Sequence, residues 1–569
     1  MIKIKILIFS VITFALLTTC EKETATKDED DDIEVVEDDD DYIWDSSTAT
    51  TIYFEGTSIS TSASDKVSIS GSKATIKSAG QYLISGTLTD GQLLVNTSDE
   101  GTVKLILDNV TMSNSSSAPI FISNAEKTVI ILADNSVNTI TDATSYVFAS
   151  GEDEPNAAVF SKDDLIIYGN GELIVNGNYN DAIASKDGLI IKSTKITINA
   201  LDYGIRGKDY MLIDDAILNI TAGGDGLKSD NEDNSSAGFI TISSGEFYIN
   251  AMDDGISAIT NINIADGIFS ITTGGGSSNT TSSSSSAKGI KAGSSLNVSC
   301  ETMTINSSDD AIHSNGSLAI NSGDISISSG DDGVHAETSV EINSGNINIT
   351  KSYEGIEGAL ITINGGNIHV TASDDGINGA GGATTSTQYG DASSGNMYIN
   401  GGYIVVVASG DGIDVNGSIT MTAGTVIVHG PTNSGNGALD YDGTFKVTGG
   451  DIIAAGSSGM AQAPSTSSTQ YSLLINLSST QQAGTLICVQ TSDGTNVVCF
   501  KPTKTYQSLV LSSSLLEKGK SYNVYLGGST TGTLTDGVYE GGTYTAGTKY
   551  TSFTVSSIVT SIGSNNGRP

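Results

Sequence analysis

A short element that joins an acidic residue, a glycine or alanine and an aliphatic residue recurs through most of the chain. Where no insert intervenes, its aliphatic positions follow one another at steps of 22 or 21 residues. The series is Ile183, Ile205, Leu227, Ile256, Ile290, Ile312, Val334, Ile356, Ile377 and Ile413. Each of the three longer steps contains a stretch rich in serine, glycine and asparagine, at 231–238, 274–287 and 381–396. A fixed period that is interrupted only by such inserts is typical of a solenoid.

Within each repeat, apolar and polar residues alternate in short runs separated by turn residues, as in Asn-Ser-Gly at 321–323 and 343–345. Period-two alternation marks strands, so we predict an all-β protein. The main body, residues 49–460, is expected to be a right-handed parallel β-helix with about 22 residues per coil and stacked strands about 4.8 Å apart. Four asparagines would then stack as an amide ladder at one corner, namely Asn321, Asn343, Asn364 and Asn400.

After residue 460 the pattern changes to longer strands with hairpin turns. This predicts a C-terminal β-rich segment at 461–557, packed on or capping the helix, and a tail at 558–569. An Asp493-Gly494 turn would set Cys488 directly opposite Cys499. An oxidising location favours a disulfide between them, whereas the hydrogen-bonded pair geometry disfavours one, so both states stay open. Cys300 has no evident partner and is expected to be buried.

The N-terminus has the features of an export signal. Two lysines and an apolar run lead to small residues before Cys20, so residues 1–19 read as a signal peptide. The stretch "LLTTC" resembles a bacterial lipobox, which implies a lipid anchor at Cys20 and a lipoprotein of the cell envelope or outer membrane, exposed at the surface. Residues 20–48, rich in acids, predict a disordered tether, which is either a surface-export signal or a plain solvated spacer.

The overall charge limits the partners. The formal net charge is −39, and Arg206 and Arg568 are the only arginines. Nucleic acid is excluded because phosphate binding needs clustered lysine and arginine. So acidic a surface is consistent with bound cations or with the solubility demands of an exposed location. We expect a monomer.

Stacking converts the repeated acids into columns on the body of the solenoid. Like charges about 5 Å apart raise one another's pKa, so the carboxylates either splay into water or hold a cation. Carboxylate and carbonyl oxygens suit Ca²⁺, which takes six to eight of them. The candidate ligands are Asp163, Asp181, Asp187, Asp202, Asp209, Asp225, Asp230, Asp253, Asp254, Asp309, Asp310, Asp331, Asp332, Asp374 and Asp375. Ion-pair ladders with Lys162, Lys186 and Lys208 are the alternative for the N-terminal coils.

Several stretches resemble a known bacterial family. They are "GQYLISGTLTDGQLLVN" (80–96), "LILDNVTMSNSSSAPIFI" (105–122), "VFSKDDLIIYGNGELIVNGNYNDAIASKDGLII" (159–191) and "GDGLKSD" (224–230). This is the carbohydrate-binding-domain family of calcium-binding, right-handed β-helix surface proteins, similar in shape to polysaccharide lyases. The resemblance implies calcium in the solenoid and binding of cellulose-like or acidic glycans without cleavage. Tyr203 departs from the acidic motif, and residues 288–293 lack acids.

Two other functions remain open beside non-catalytic glycan binding. One is a structural adhesin in which calcium only stabilises the fold. The other is a calcium-dependent uronate lyase, for which Arg206 or Lys228, at equivalent positions of adjacent coils, would be the base.

Two further sets of residues complete the candidates. His313, His335 and Glu357 follow one another at 22-residue steps, but ligands along a straight line do not converge on one ion, so we expect them to decorate the surface. The tyrosines Tyr203, Tyr210 and Tyr353, and beyond them Tyr389 and Tyr403, are the candidate platforms for sugar stacking.

Overall fold

The computed structural model of the protein describes residues 33–279, 286–380 and 395–563. Across these ranges the regular structure is β except for one 3₁₀ turn, Asp39–Tyr42. Within them there is no helix of the length and apolarity that crossing a membrane requires. The expected all-β class is confirmed, and most strands belong to one large, mainly parallel sheet. The signal peptide, Cys20, the first part of the tether and Tyr389 lie outside the described residues.

Most strands fall into three parallel ladders, because each strand pairs with the strand that follows about one repeat later. Ladder 1 comprises Lys73–Ile76, Gln92–Asn96, Ile120–Asn124, Ala157–Ser161, Asp181–Ser185, Ile205–Gly207, Leu227–Ser229, Ile256–Ala258, Ile290–Ala292, Ile312–Ser314, Val334–Ile342, Ile356–Ile363, Ile377–Gly379, Ile413–Val415 and Asp440–Tyr441. Ladder 2 comprises Lys127–Leu132, Asp164–Tyr168, Gly188–Lys192, Tyr210–Asp214, Phe239–Ile242, Asn261–Ile264, Ser295–Ser307, Ser317–Ser329, Asn396–Ile399, Ser418–Met421 and Phe445–Val447. It also takes in the second halves of Val334–Ile342 and Ile356–Ile363.

Ladder 3 receives the second halves of Ser295–Ser307 and Ser317–Ser329. Its other strands are Val137–Thr141, Glu172–Gly177, Lys195–Ala200, Ala216–Ala222, Gly245–Ala251, Ile268–Thr273, Asn346–Lys351, Asn367–Thr371, Tyr403–Val407, Thr425–His429 and Asp451–Gly456. Thr102–Ser113 pairs with the first strands of ladders 2 and 3, and Gly80–Leu88 and Thr50–Gly56 stack on it in parallel. The two remaining early strands, Ser58–Thr61 and Val67–Ser70, form antiparallel hairpin pairs. One successive strand from each ladder makes a rung.

The core runs through all three ladders. Ile183, Leu189 and Ile196, which lie on the three ladders of one rung, are each fully buried in the same apolar cluster. In ladder 1, Ile312 pairs with Val334 and Val334 pairs with Ile356. The repeat of the sequence therefore sets the register, because a one-residue slip would move every inward aliphatic to the outside.

The predicted asparagine ladder is present. Asn343 Nδ2 donates to Asn321 Oδ1 at 3.0 Å, Asn364 Nδ2 donates to Asn343 Oδ1 at 2.8 Å, and Asn400 Nδ2 donates to Asn364 Oδ1 at 2.9 Å. The turn that follows each asparagine ends in a glycine with positive φ, such as Gly345 at 106°. A Cβ there would lie 2.9 Å from the Gly323 carbonyl oxygen of the preceding rung. The corner therefore combines an amide stack with a turn that only glycine fits.

The end of the acidic tether corrects the sequence-based prediction. Residues 33–48 were expected to be disordered, but Asp41 is only 2% exposed and its Oδ2 lies 2.7 Å from Lys127 Nζ. Trp44 and neighbouring residues of this segment pack on an apolar cluster that includes Ile166 and Ile190 on the outer face of ladder 2. The reason is that the outer face of ladder 2 is apolar here, with a buried lysine beside it that needs a carboxylate.

The C-terminal segment forms two groups of strands. Ser472–Gln481, Tyr506–Ser512 and Val559–Ile562 extend the large sheet, since Tyr506–Ser512 pairs antiparallel with Asp451–Gly456. The second group is a six-stranded antiparallel sheet formed by Ile487–Thr491, Asn496–Phe500, Ser521–Thr530, Thr533–Thr535, Val538–Glu540 and Tyr544–Thr554. Apolar residues of both groups share a cluster with Ile427 and Ile453 of ladder 3. Cys488 and Cys499 are partners across a strand pair and form a disulfide, while Cys300 is buried with a free thiol, as expected.

Candidate functional site

Each repeat has one position, usually an acid, two residues before the inward aliphatic residue of its ladder 1 strand. These positions form one line, here called the acidic row. The row consists of Asp181, Tyr203, Asp225, Asp254, Lys288, Asp310, Asp332, Glu354, Asp375 and Asp411. Most of its carboxylates are structural acceptors for the next rung. The backbone N–H of Asp332 donates to Asp310 Oδ1 at 3.1 Å, and the N–H of Glu354 donates to Asp332 Oδ1 at 3.1 Å. One oxygen of each such acid thus caps the following turn.

In two of the repeated pairs this arrangement separates the two acids. Asp331 is exposed, whereas Asp332 is 6% exposed; Asp253 is exposed, whereas Asp254 is 3% exposed. The first acid faces water and the second supports the backbone. The buried carboxylate is needed as an acceptor, because a turn N–H that loses its acceptor inside the protein costs about 1–3 kcal/mol.

Burial and like charge perturb the acidic row. Burial, together with the charge of Asp202, raises the pKa of Asp181 to about 7. Asp181 is fully buried, its Oδ1 accepts the N–H of Tyr203, and its Oδ2 has no hydrogen-bond partner. Burial, with the neighbouring carboxylates, raises the pKa of Glu354 to about 7 as well. These carboxylates would gain from a cation.

Basic side chains already neutralise part of the acidic row. Lys288 Nζ lies 2.9 Å from Asp309 Oδ1 and 2.6 Å from Asp310 Oδ2. Lys228 Nζ lies 2.6 Å from Asp225 Oδ2, which limits the pKa of Asp225 to about 6 in spite of burial and Asp254.

The sequence also aligns Asp163, Asp187, Asp209 and Asp230 in a second column, which lies outside the acidic row. Asp163 Oδ2 accepts the N–H of Ala125 at 2.8 Å, and Asp230 Oδ1 pairs with Arg206 Nε at 3.0 Å. Burial, with the charges of Asp209 and Asp163, raises the pKa of Asp187 to about 6. The alternative, in which lysines form ion-pair ladders with this column, is wrong because the lysines pair with other acids. Lys162 and Lys186 both bind Glu154, and Lys208 lies 3.5 Å from Asp233.

The structure brings some predicted ligands together and leaves others apart. Among the described residues, the clusters of at least three acid or imidazole ligand atoms within 4.8 Å of one another are Asp309–Asp310–Asp331, Asp310–His313–His335, Asp332–His335–Glu357 and Asp375–Asp411–Asp414. The predicted ligands that belong to none of these clusters are Asp163, Asp181, Asp187, Asp202, Asp209, Asp225, Asp230, Asp253, Asp254 and Asp374. Among the described residues, these clusters therefore lie in the later rungs, between Asp309 and Asp414.

Asp411 and Asp414 belong to a carboxylate cluster that sequence reasoning missed. Burial, with Asp375 and Asp440, raises the pKa of Asp411 to about 7, and burial, with the same two residues, raises that of Asp414 to about 6. The signal was available in "DGID" (411–414), where a second acid follows the aliphatic residue by one position. That position also carries Glu357 and Asp440, with Asn378 between Glu357 and Asp414, so the last rungs of ladder 1 present further acids beside the acidic row.

The histidines are not surface decoration. His313 is 6% exposed, and its Nδ1 lies 2.8 Å from Asp310 Oδ2. His335, its partner on the next rung, lies 3.6 Å from the same oxygen. Burial acts to raise the pKa of Asp310, but these imidazoles and Lys288 hold that pKa well below its usual range. The prediction that these histidines decorate the surface is wrong because the carboxylate of Asp310, in the turn three residues before His313, lies beside both rings.

The tyrosine predictions have mixed outcomes. Tyr210 is 2% exposed, so it is wrong as a sugar platform; its ring packs on Phe239. Tyr203 is half-buried beneath Lys228 Nζ, 4.4 Å from the ring centroid. Tyr353 is 48% exposed and remains a candidate. Tyr403 is committed to a hydrogen bond with Asp536 in the C-terminal segment at 3.0 Å.

An aromatic cluster near the acidic row was not predicted. Tyr146 and Tyr179 stack with ring centroids 4.2 Å apart, and Phe148 lies beside both. Tyr146 donates from its hydroxyl to Asp142 Oδ2 at 2.8 Å. These residues come from a loop and a turn with no repeat, so no periodic signal marks them.

Arg206 and Lys228, the candidate lyase bases, are direct partners in ladder 1. Each is bound to a carboxylate, Asp230 and Asp225 respectively. Although burial acts against the charge, Asp225 raises the pKa of Lys228 above its usual value. A base must be neutral to take a proton, so this environment opposes that role.

An all-β repeat protein with a line of acids along one ladder is the class that the fold and site define. The family model described as "Carbohydrate-binding domain-containing protein" matches residues 70–333 and 332–545. A relative of that description from Acetivibrio thermocellus is 34% identical over 214 residues, which cover 37% of this chain and 75% of the relative. The solved gadolinium derivative of a polysaccharide lyase-like protein from C. thermocellum is 30% identical, with coverage of 53% of this chain and 97% of that one and a TM-score of 0.36. The chain belongs to this carbohydrate-binding domain family.

Proposed function

We propose that the chain is a surface-anchored lipoprotein that binds an acidic or cellulose-like polysaccharide without cleaving it. In this proposal the three ladders form a right-handed β-helix with about 22 residues per coil, loaded with Ca²⁺. Membership of the carbohydrate-binding domain family supports a carbohydrate partner. The anchor at Cys20 is supported by the lipobox-like sequence alone.

The observation that carries the calcium proposal is the cluster of Asp375, Asp411 and Asp414. The three carboxylates lie close enough to share one ion, and the charges that perturb Asp411 and Asp414 most are all negative. Hard oxygen donors in a flexible set suit Ca²⁺. Bound there, Ca²⁺ would supply positive charge that a uronate carboxylate of the glycan can share. That would explain how a chain of net charge −39 holds an anionic polymer.

Two features support binding without cleavage. Lys228 and Arg206 are each paired with an acid, and the pKa of each is raised by that partner. The acids of the row that are not buried, Glu354, Asp375 and Asp411, lie on three successive rungs of ladder 1. A repeated line suits an extended polymer.

The test is isothermal titration of the full chain with polygalacturonate, in Ca²⁺ and in EDTA. We expect binding in Ca²⁺ and its loss in EDTA, and the same loss in an Asp411→Asn/Asp414→Asn variant. Asp65→Asn, at an exposed acid outside the row, is the matched control and should bind normally. Equal binding in EDTA would rule out the calcium bridge.

The same samples distinguish the two alternatives. An adhesin with purely stabilising calcium would lose melting temperature on chelation and retain no glycan in a pull-down with polygalacturonate or cellulose. A lyase would generate the ultraviolet absorbance of unsaturated uronate, and Arg206→Ala or Lys228→Ala would abolish it.

A further inference from the structure

Two of the four histidines of the chain meet in the middle of the acidic row. His313 and His335 are Cα partners on adjacent rungs, and their rings lie edge to face with centroids 4.9 Å apart. Asp310 and Asp332 precede them by three residues on their own rungs and are 2% and 6% exposed. Asp310, His313 and His335 thus bring ligand atoms within 4.8 Å of one another, and Asp332 shares a second such group with His335 and Glu357.

The ligand atoms have the spacing of a small metal site. Asp310 Oδ2 lies 2.8 Å from His313 Nδ1 and 3.6 Å from His335 Nδ1. Asp332 Oδ2 lies 3.6 Å from the same nitrogen of His335. A tetrahedral ion with bonds of about 2.0–2.1 Å holds its ligand atoms about 3.3 Å apart. The observed distances lie on either side of that value.

The outward nitrogen of the His313 ring provides an independent sign. His313 Nε2 lies 2.9 Å from Asn315 Oδ1, and His335 Nε2 lies 3.7 Å from Glu357 Oε2. His313 therefore presents Nδ1 to the cluster and Nε2 to a hydrogen-bond acceptor outside it, whereas the His335–Glu357 distance is too long for a hydrogen bond. Metal-binding histidines have this arrangement, since the outer acceptor holds the proton on the far nitrogen and orients the ring.

We propose that Asp310, His313 and His335 bind a divalent transition metal, with Zn²⁺ as the reference ion and Asp332 as the fourth ligand. Nitrogen ligands select this class over Ca²⁺, which prefers oxygen alone. Lys288 contacts Asp310 Oδ2 at 2.6 Å but also Asp309 Oδ1 at 2.9 Å, so it keeps a partner when the metal takes the Asp310 oxygen. The ion would join adjacent rungs at a point distinct from the Asp375 cluster.

The test is titration of the metal-stripped full chain with Co²⁺ in a buffer that contains excess Ca²⁺. We expect one Co²⁺ per chain with the intense visible absorption of a four-coordinate nitrogen–oxygen site, bleached by Zn²⁺ and indifferent to Ca²⁺. His335→Ala should abolish the band, and His369→Ala, on ladder 3 against Asp536, is the matched control and should leave it unchanged. Asn315→Ala, at an exposed position, should weaken Zn²⁺ binding by about 10- to 100-fold.

The proposal would be overturned by a Co²⁺ titration without a visible band, or by equal Zn²⁺ affinity of His335→Ala and the unsubstituted chain. Either result would leave the cluster as an ion-pair network. Because Ca²⁺ is held in excess throughout, failure here would not affect the glycan and calcium proposal. If polygalacturonate binding is lost in EDTA and the Co²⁺ titration shows no visible band, the glycan and calcium proposal is supported and the transition-metal proposal is refuted.

Discussion

Replacing Asp181 by asparagine tests the electrostatics of the acidic row at its most buried member. The side chain is fully buried, and one of its oxygens has no hydrogen-bond partner. Asparagine retains the oxygen that accepts the Tyr203 N–H and removes the charge. Because asparagine does not titrate, the pH dependence of the stability difference isolates the cost of ionising a carboxylate at this position.

The magnitude follows from the pKa. Burial, with the charge of Asp202, raises the pKa of Asp181 from 3.8 to about 7. The unfolded chain ionises this group near pH 4, whereas the folded chain keeps its proton until about pH 7. Folding is therefore penalised above pH 4, increasingly up to pH 7 and constantly beyond it. Each pKa unit corresponds to about 1.4 kcal/mol, which sets an upper limit of about 4 kcal/mol at pH 8.

We expect Asp181→Asn to be more stable than the unsubstituted chain by about 2–4 kcal/mol at pH 8 in EDTA and to differ little at pH 4. Urea unfolding followed by circular dichroism at pH 4, 6 and 8 measures the difference, with Asp65→Asn as the control that should show none. A stability difference that does not change with pH, or a variant that is weaker at pH 8 in EDTA, would refute the reasoning.

Three further predictions concern the scaffold. Phe247→Ala should lower the free energy of unfolding by about 3–5 kcal/mol, because its ring is buried and stacks on Phe269 at 4.7 Å; urea unfolding measures it. Asn364→Ala should cost about 1–2 kcal/mol by interrupting the amide ladder, seen as a lower melting temperature, and an unchanged melting temperature would contradict a structural ladder. Replacing Cys488 and Cys499 together by serine should destabilise the C-terminal segment by about 2–4 kcal/mol and speed its proteolysis, with no effect on polygalacturonate binding if the acidic row is the site.

The scaffold could be predicted because its information is local and repeated. Ile312, Val334 and Ile356 occupy equivalent positions in successive repeats, and period-two alternation assigns each neighbouring side chain to the inside or the outside. Asn321 and Asn343 stack for the same reason. A regular repeat needs no knowledge of distant contacts.

The site could be predicted only as a row of acids. Which acids converge depends on the direction each side chain takes at the turn, and this separates Asp331 from Asp332 although they are neighbours in sequence. The sequence does not indicate that Phe239 and the segment before Trp44 cover Tyr210, since neither contact follows from the repeat.

By itself the sequence determined the all-β class, the strand register and the line of acids, because these follow from a repeated pattern in which each rung contacts the next. Only the tertiary structure decided that the row carboxylates cap backbone N–H groups, that Asp411 and Asp414 join Asp375, and that His313 and His335 meet at Asp310. These outcomes depend on side-chain directions and burial at the turns. Distances of 3–4 Å between such atoms are set by packing, and a repeat period does not contain them.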